Sequence, residues 1–110
     1  MKQRKLIVVR SAILDSQRRN RWWKKHRKDA PLLFAKSLAA AYGELEVGAG
    51  VGSLVTSTSV EGVHRYLISA TGHWVYYVLR ESPAAHLVVL GFQGPGEADH
   101  PNLTCALRES

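Results

Sequence analysis

The sequence predicts an α+β fold in which an antiparallel sheet is covered by an α-helical hairpin. Two observations lead to this prediction. Between residues 63 and 92, three segments rich in β-branched, aromatic and aliphatic residues are separated by short turns, which is typical of consecutive antiparallel strands. Ahead of them, residues 12–45 contain apolar side chains at helical spacing with a break at Pro31. The predicted order is strand, helix, helix and three strands.

The chain begins with one short strand and the two helices. Residues 6–9 are a β-type run that we expect to join the same sheet. Ser11 is a candidate N-cap, and residues 12–28 contain neither Gly nor Pro, so they form the first helix. Asp29 or Ala30 lies near the cap of the second helix, and Pro31 fits its first turn. Apolar residues then recur at helical spacing from residue 32 to about residue 45. The apolar stripe of this helix consists of Phe34, Leu38, Ala41, Tyr42 and Leu45.

The three later strands are predicted at residues 63–69, 73–80 and 86–92. The last two are apolar on nearly every residue, which indicates that both faces of the sheet are partly covered. Because side chains alternate along a strand, we expect one of Tyr76 and Tyr77 in the core and the other accessible.

The remaining segments carry weaker patterns. A glycine-rich connection spans residues 47–52, and residues 53–60 form an extended segment or part of a longer hairpin. Residues 1–96 then make one domain. Residues 97–110 make a polar, irregular tail, with a short helix around residues 103–107 as the alternative.

Positive charge is concentrated at the start of the chain. The formal net charge is +6, and residues 1–30 hold 11 of the 15 Lys and Arg residues against only Asp15 and Asp29. A basic pole of this kind attracts a polyanion or an acidic protein. The lone Cys105 allows no intramolecular disulfide, and no apolar run is long enough to span a bilayer. We therefore expect a cytoplasmic protein. With scattered histidines, no metal or cofactor is expected.

Several short motifs occur in a set order along the chain. They are residues 11–12, the pair Trp22 and Trp23, and residues 30–34, 41–45, 62–65, 73–78 and 87–90. In this order and spacing, over about residues 5–92, the sequence resembles the RelE/ParE superfamily of bacterial type II toxins. Within that superfamily it is most similar to the ParE-like, plasmid-stabilisation branch. The motif at residues 73–78, which reads His-Trp-Val-Tyr-Tyr-Val, contributes most to the resemblance.

The resemblance implies a small toxin that a cognate antitoxin neutralises. ParE-like members are associated with inhibition of DNA gyrase, whereas RelE-like members cut mRNA on the ribosome. RelE-like nucleases place a further Arg and Tyr after the last strand, but after Leu90 this chain has no basic residue until His100. We therefore expect a gyrase inhibitor that acts by binding and is not an enzyme. The alternatives are a ribosome-dependent mRNA endoribonuclease, and an inactive adaptor that binds polyanions through its basic helix.

Each alternative has its own candidate residues. A metal-independent nuclease would use His64, Arg65 and His73, because histidine transfers protons at neutral pH and arginine stabilises charge on phosphate. A histidine with a purely structural role is the commoner explanation for such positions. An ion pair with Glu61 or Glu81 is the structural alternative for Arg65. Candidates for binding the target or the antitoxin are Arg18, Arg21, Trp22, Trp23, Lys25, Arg65 and Tyr77.

Two observations support the binding set. Exposed aromatic and arginine side chains dominate the energetics of many protein interfaces. We expect one tryptophan of the Trp22-Trp23 pair to face the sheet and the other to lie at the edge of the helix or in the open. An acidic antitoxin segment is the expected partner of this basic helix, although a solvated basic face explains the charges alone equally well.

Overall fold

The computed structural model describes residues 5–48, 52–56, 60–81, 84–97, 101 and 103–108. These residues form an α+β fold, as predicted. The elements are β1 (Lys5–Val8), α1 (Arg10–His26), α2 (Leu33–Val47), β2 (Ser53–Leu54), β3 (Val63–Ile68), β4 (His73–Arg80), β5 (His86–Gln93) and α3 (Thr104–Arg108). Parts of three predicted segments lie outside the described residues: 49–51 of the glycine-rich connection, 57–59 of the extended segment, and 98–100, 102 and 109–110 of the tail. No helix in the described ranges is long and apolar enough to cross a membrane.

The five strands form one mixed sheet in the order β1-β5-β4-β3-β2. Strands β3, β4 and β5 make the predicted antiparallel meander, and β2 extends it at one edge. The prediction of an antiparallel sheet is wrong for β1, which pairs parallel to β5 with Val8 opposite Val89. Two helices and three strands separate β1 from β5 in the chain, and a connection of that length allows parallel pairing.

The helical hairpin packs on the sheet through few side chains. Ala12 and Trp23 of α1 are buried, as are Phe34, Ala41 and Leu45 of α2.

Both predicted helix starts need correction. The N-cap of α1 is Val9, so Ser11 lies inside the helix. Pro31 lies in the turn before α2 and not in its first turn, because the N-cap of α2 is Leu32. Val9 and Leu32 form no side-chain capping hydrogen bond, so neither N-cap carries the residue type that usually marks a helix start.

The two adjacent tyrosines of β4 are both fully buried, which contradicts the prediction that one is accessible. The Tyr77 hydroxyl accepts a hydrogen bond from the backbone N–H of Gly52 at 3.1 Å. On the other face, the Tyr76 hydroxyl donates to the Gln93 side chain at 3.3 Å. Tyr76 lies opposite Gly91, where an added Cβ would lie 3.3 Å from Leu103 Cδ2. Both faces of β4 are therefore covered.

The C-terminal segment supplies part of that cover. Residues 104–108 form α3, which agrees with the alternative of a short helix near the end of the chain. Leu103 and Ala106 are 2% and 5% exposed and belong to the hydrophobic core. The segment after Gly96 therefore contributes to the packed domain in its described residues.

Candidate binding groove

A groove of about 920 Å³ lies between the C-terminal half of α1, the turn to α2, the β3–β4 turn and the segment after β5. We call it the α1 groove. Its wall is built from aromatic, aliphatic and charged side chains, which include Arg18, Trp22, Arg27, Leu33, His73 and Pro95. A concave surface that combines apolar area with a few cations is suited to binding an acidic ligand that also carries apolar groups.

The two tryptophans have different environments, as predicted. Trp23 is 8% exposed, and its indole N–H donates to the Ala30 carbonyl at 2.8 Å, which holds the turn between the helices. Trp22 is 48% exposed and stacks on His26 with ring centroids 4.3 Å apart. The guanidinium carbon of Arg27 lies about 6 Å from both indole rings. The groove thus presents an accessible indole beside a cation.

Arg19 fastens the segment after β5 to α1. Its side chain is 14% exposed and donates to Asp15 at 3.0 Å and to Glu97 at 2.7 Å. Glu97 also accepts the backbone N–H of Gly94 at 2.9 Å. The hydrogen bond from Arg19 lowers the pKa of Glu97 below its ordinary value, although burial alone would raise it. This ion-paired cluster forms one side of the α1 groove.

Sequence reasoning did not single out Arg19. The only available signal was the spacing of four residues between Asp15 and Arg19, which places them side by side on a helix. The partner that gives Arg19 its role, Glu97, is 78 residues away in the chain, and no local pattern indicates that contact.

His73 lies at the floor of the α1 groove and is 6% exposed. Its ring meets Phe34 edge to face at 4.8 Å and Trp23 at 6.3 Å, and its Nδ1 lies 2.9 Å from the Thr71 hydroxyl. Burial and the positive charge of Arg19 both lower its pKa. The lowered pKa favours the neutral imidazole, whose ring packs against Trp23 and Phe34.

The three candidate nuclease residues do not form one site. In the β3–β4 ladder His64 is opposite Tyr77 and His73 is opposite Ile68, four residues further along β3, which corresponds to about 13 Å. The His64 ring stacks on Tyr77 at 5.6 Å. Arg65 points to the other face of the sheet, with its guanidinium carbon 4.0 Å from the centre of the Trp74 ring. Within the described ranges, no ion pair is found between Arg65 and Glu61.

The candidate binding residues separate into three places. Arg18, Trp22 and Trp23 line the α1 groove. Arg21 and Lys25 are exposed on α1 but do not line the groove. Arg65 and Tyr77 lie in the sheet, where Tyr77 is fully buried and Arg65 contacts Trp74.

No protein-family model, no curated protein and no solved structure matches this chain. The described residues define an α+β domain with a mixed five-stranded sheet and an aromatic, cationic groove. Any functional assignment rests on that geometry and on the order of the sequence motifs.

Proposed function

We propose that the protein is a ParE-like toxin of a bacterial type II toxin–antitoxin system, which acts by binding and inhibiting DNA gyrase. The observation that carries a binding mechanism is the dispersal of His64, Arg65 and His73 over separate places in the sheet. A nuclease without a metal needs a base, an acid and a cation around one phosphate. The order of one strand, two helices and a three-stranded meander supports the toxin assignment.

The α1 groove is the proposed docking site for the antitoxin. Trp22 and Leu33 offer apolar surface, and Arg18 and Arg27 offer positive charge at the same opening. An acidic antitoxin segment with one or two apolar anchors would complement this combination. Such a segment would place its carboxylates near the arginines and its anchors against the exposed indole.

Induced expression in a bacterial host tests the toxin assignment. We expect growth arrest, altered DNA supercoiling and intact mRNA, with relief when the cognate antitoxin is expressed from a neighbouring reading frame. The variant His64→Ala should still arrest growth, because a binding mechanism does not use His64 as an acid or a base. If the unmodified protein causes rapid mRNA cleavage and the variant does not, the protein is an endoribonuclease instead. Absence of arrest would contradict both activities.

The docking site has its own test. Trp22→Ala should weaken antitoxin binding by at least about tenfold, because an exposed indole at a groove mouth is a typical interface hot spot. Leu32→Ala is the matched control, since Leu32 is 53% exposed but does not line the groove. Isothermal titration calorimetry with the purified antitoxin measures both affinities. Equal affinities for the two variants would place the docking site elsewhere.

A further inference from the structure

The side of α1 that faces away from the sheet is mainly cationic. At 100° per residue, positions 10, 14, 18, 21 and 25 fall within an arc of about 80° on the side opposite the buried Ala12 and Trp23. All five side chains are exposed. We call the four basic ones the α1 basic stripe: Arg10, Arg18, Arg21 and Lys25. The stripe extends over about 22 Å of helix.

Almost nothing within the described residues neutralises this stripe. Asp15 is the only acidic residue of α1, and it is bound by Arg18 at 2.5 Å and by Arg19 at 3.0 Å. Arg10, Arg21 and Lys25 form no ion pair in the described ranges. Arg21 and Lys25 are four residues apart on a helix, so they repel each other. A polyanion laid along α1 would relieve that repulsion.

We infer that the α1 basic stripe binds the phosphate backbone of duplex DNA. The stripe offers charge but little else, because its arc includes only one apolar side chain, Leu14. Protein interfaces are built around an apolar centre, which this arc lacks, whereas phosphate contacts need only positive charge. Therefore the stripe favours a nucleic acid, and the α1 groove, with its indole and leucine, favours a protein.

The shape of an exposed helix favours DNA over RNA. The major groove of B-form DNA is about 12 Å wide and admits an α-helix, whereas the major groove of A-form RNA is too narrow. In this position, cations on both margins of the 80° arc would approach phosphates on the two strands. The binding is independent of sequence, since phosphate contacts carry no direct base information. This activity goes beyond the proposed function, because it needs neither gyrase nor an antitoxin.

A salt titration with purified protein and a labelled DNA duplex tests the inference. Fluorescence anisotropy should show binding at low salt that weakens with a slope of about −3.5 in log K against log salt concentration, as four phosphate contacts require. The double variant R21Q/K25Q should reduce the slope by about two and the low-salt affinity by tenfold or more. Circular dichroism and thermal melting establish that the variant is folded.

A matched variant distinguishes the effect of the α1 basic stripe from the effect of the protein's net charge. K36Q/R80Q removes the same two charges from exposed positions on α2 and at the end of β4, and we expect its slope to equal that of the unmodified protein. Equal weakening by both double variants, or no binding at low salt, would overturn the inference. Tighter binding to an RNA duplex would also overturn it. Polyglutamate that competes as well as DNA of equal charge would reassign the stripe to an acidic protein.

Discussion

His73 is a residue whose environment makes a prediction about pH. Its pKa lies below the ordinary value of 6.5 because burial between Trp23 and Phe34 and the charge of Arg19 both disfavour the imidazolium. The other charged groups near it, Asp15 and Glu97, act in the opposite direction and are outweighed. The unfolded chain therefore binds a proton at His73 more readily than the folded protein does.

It follows that His73 contributes stability above pH 6.5 that is lost as the pH falls through 6.5 towards the lower folded value. The free energy of unfolding should decrease from pH 7 to pH 5, and His73→Gln should reduce the size of that decrease. Urea denaturation at three pH values measures both slopes, and each protein serves as its own reference at pH 7. Identical slopes for the two proteins would show that His73 does not cause the pH dependence.

Single residues also show how far the sequence determined the candidate site. The Trp22-Trp23 pair was predicted correctly because adjacent residues on a helix point about 100° apart. His73 was recognised as a titratable group on a central strand, but its burial depends on Phe34 and Trp23 closing over it from two helices. Tyr77 is a predicted binding residue, yet its side chain is fully buried and its hydroxyl accepts a hydrogen bond from the distant Gly52. The sequence therefore showed which residues had suitable chemistry for a site, but it did not show which other residues they contact.

At the scale of elements, two glycines differ in the space that is available for an added side chain. Gly43 lies within α2, where an added Cβ would meet no atom within 4 Å. Gly52 lies against β3 and β4, where an added Cβ would come 2.7 Å from the Arg65 carbonyl and closer still to the Tyr77 hydroxyl. The same substitution should therefore have opposite effects at the two positions.

Gly43→Ala should raise the free energy of unfolding by about 0.5 to 1 kcal/mol, because alanine loses less conformational entropy in a helix. Gly52→Ala should lower it by about 1 to 3 kcal/mol, since the crowded backbone cannot yield without disturbing the buried tyrosine. Thermal melting compares the two variants directly, and each is the control for the other. A Gly52→Ala variant as stable as the parent would show that residues 52–56 do not pack against the sheet as described.

The strands show which elements a sequence specifies. Strands β3, β4 and β5 begin and end close to their predicted positions because long apolar runs and turn residues mark them. The position of β1 was also predicted, but its parallel pairing with β5 was not, since a four-residue strand has the same sequence pattern in either direction. The direction depends on the path of the chain between β1 and β5 and on packing, which are properties of the whole chain.

At the scale of the whole molecule, the end of the chain returns to complete the core. Arg19 binds Glu97, and a few residues later Leu103 reaches the Gly91 side of β5. A five-residue helix is too short for helical periodicity to be recognised, so the polar composition of residues 97–110 suggested an irregular tail. What the pattern could not show is that two apolar residues of this segment, Leu103 and Ala106, belong to the hydrophobic core.

Leu103→Ala tests whether this segment is part of the cooperative fold. Leu103 is 2% exposed, so its truncation should lower the free energy of unfolding by about 2 to 5 kcal/mol. Leu32→Ala removes the same atoms from a side chain that is 53% exposed and should change stability by less than about 0.5 kcal/mol. Urea denaturation measures both. A large loss at Leu103 with an unchanged dependence on urea concentration would mean that the segment unfolds together with the sheet. A loss as small as that at Leu32 would mean that the sheet and hairpin are stable without it.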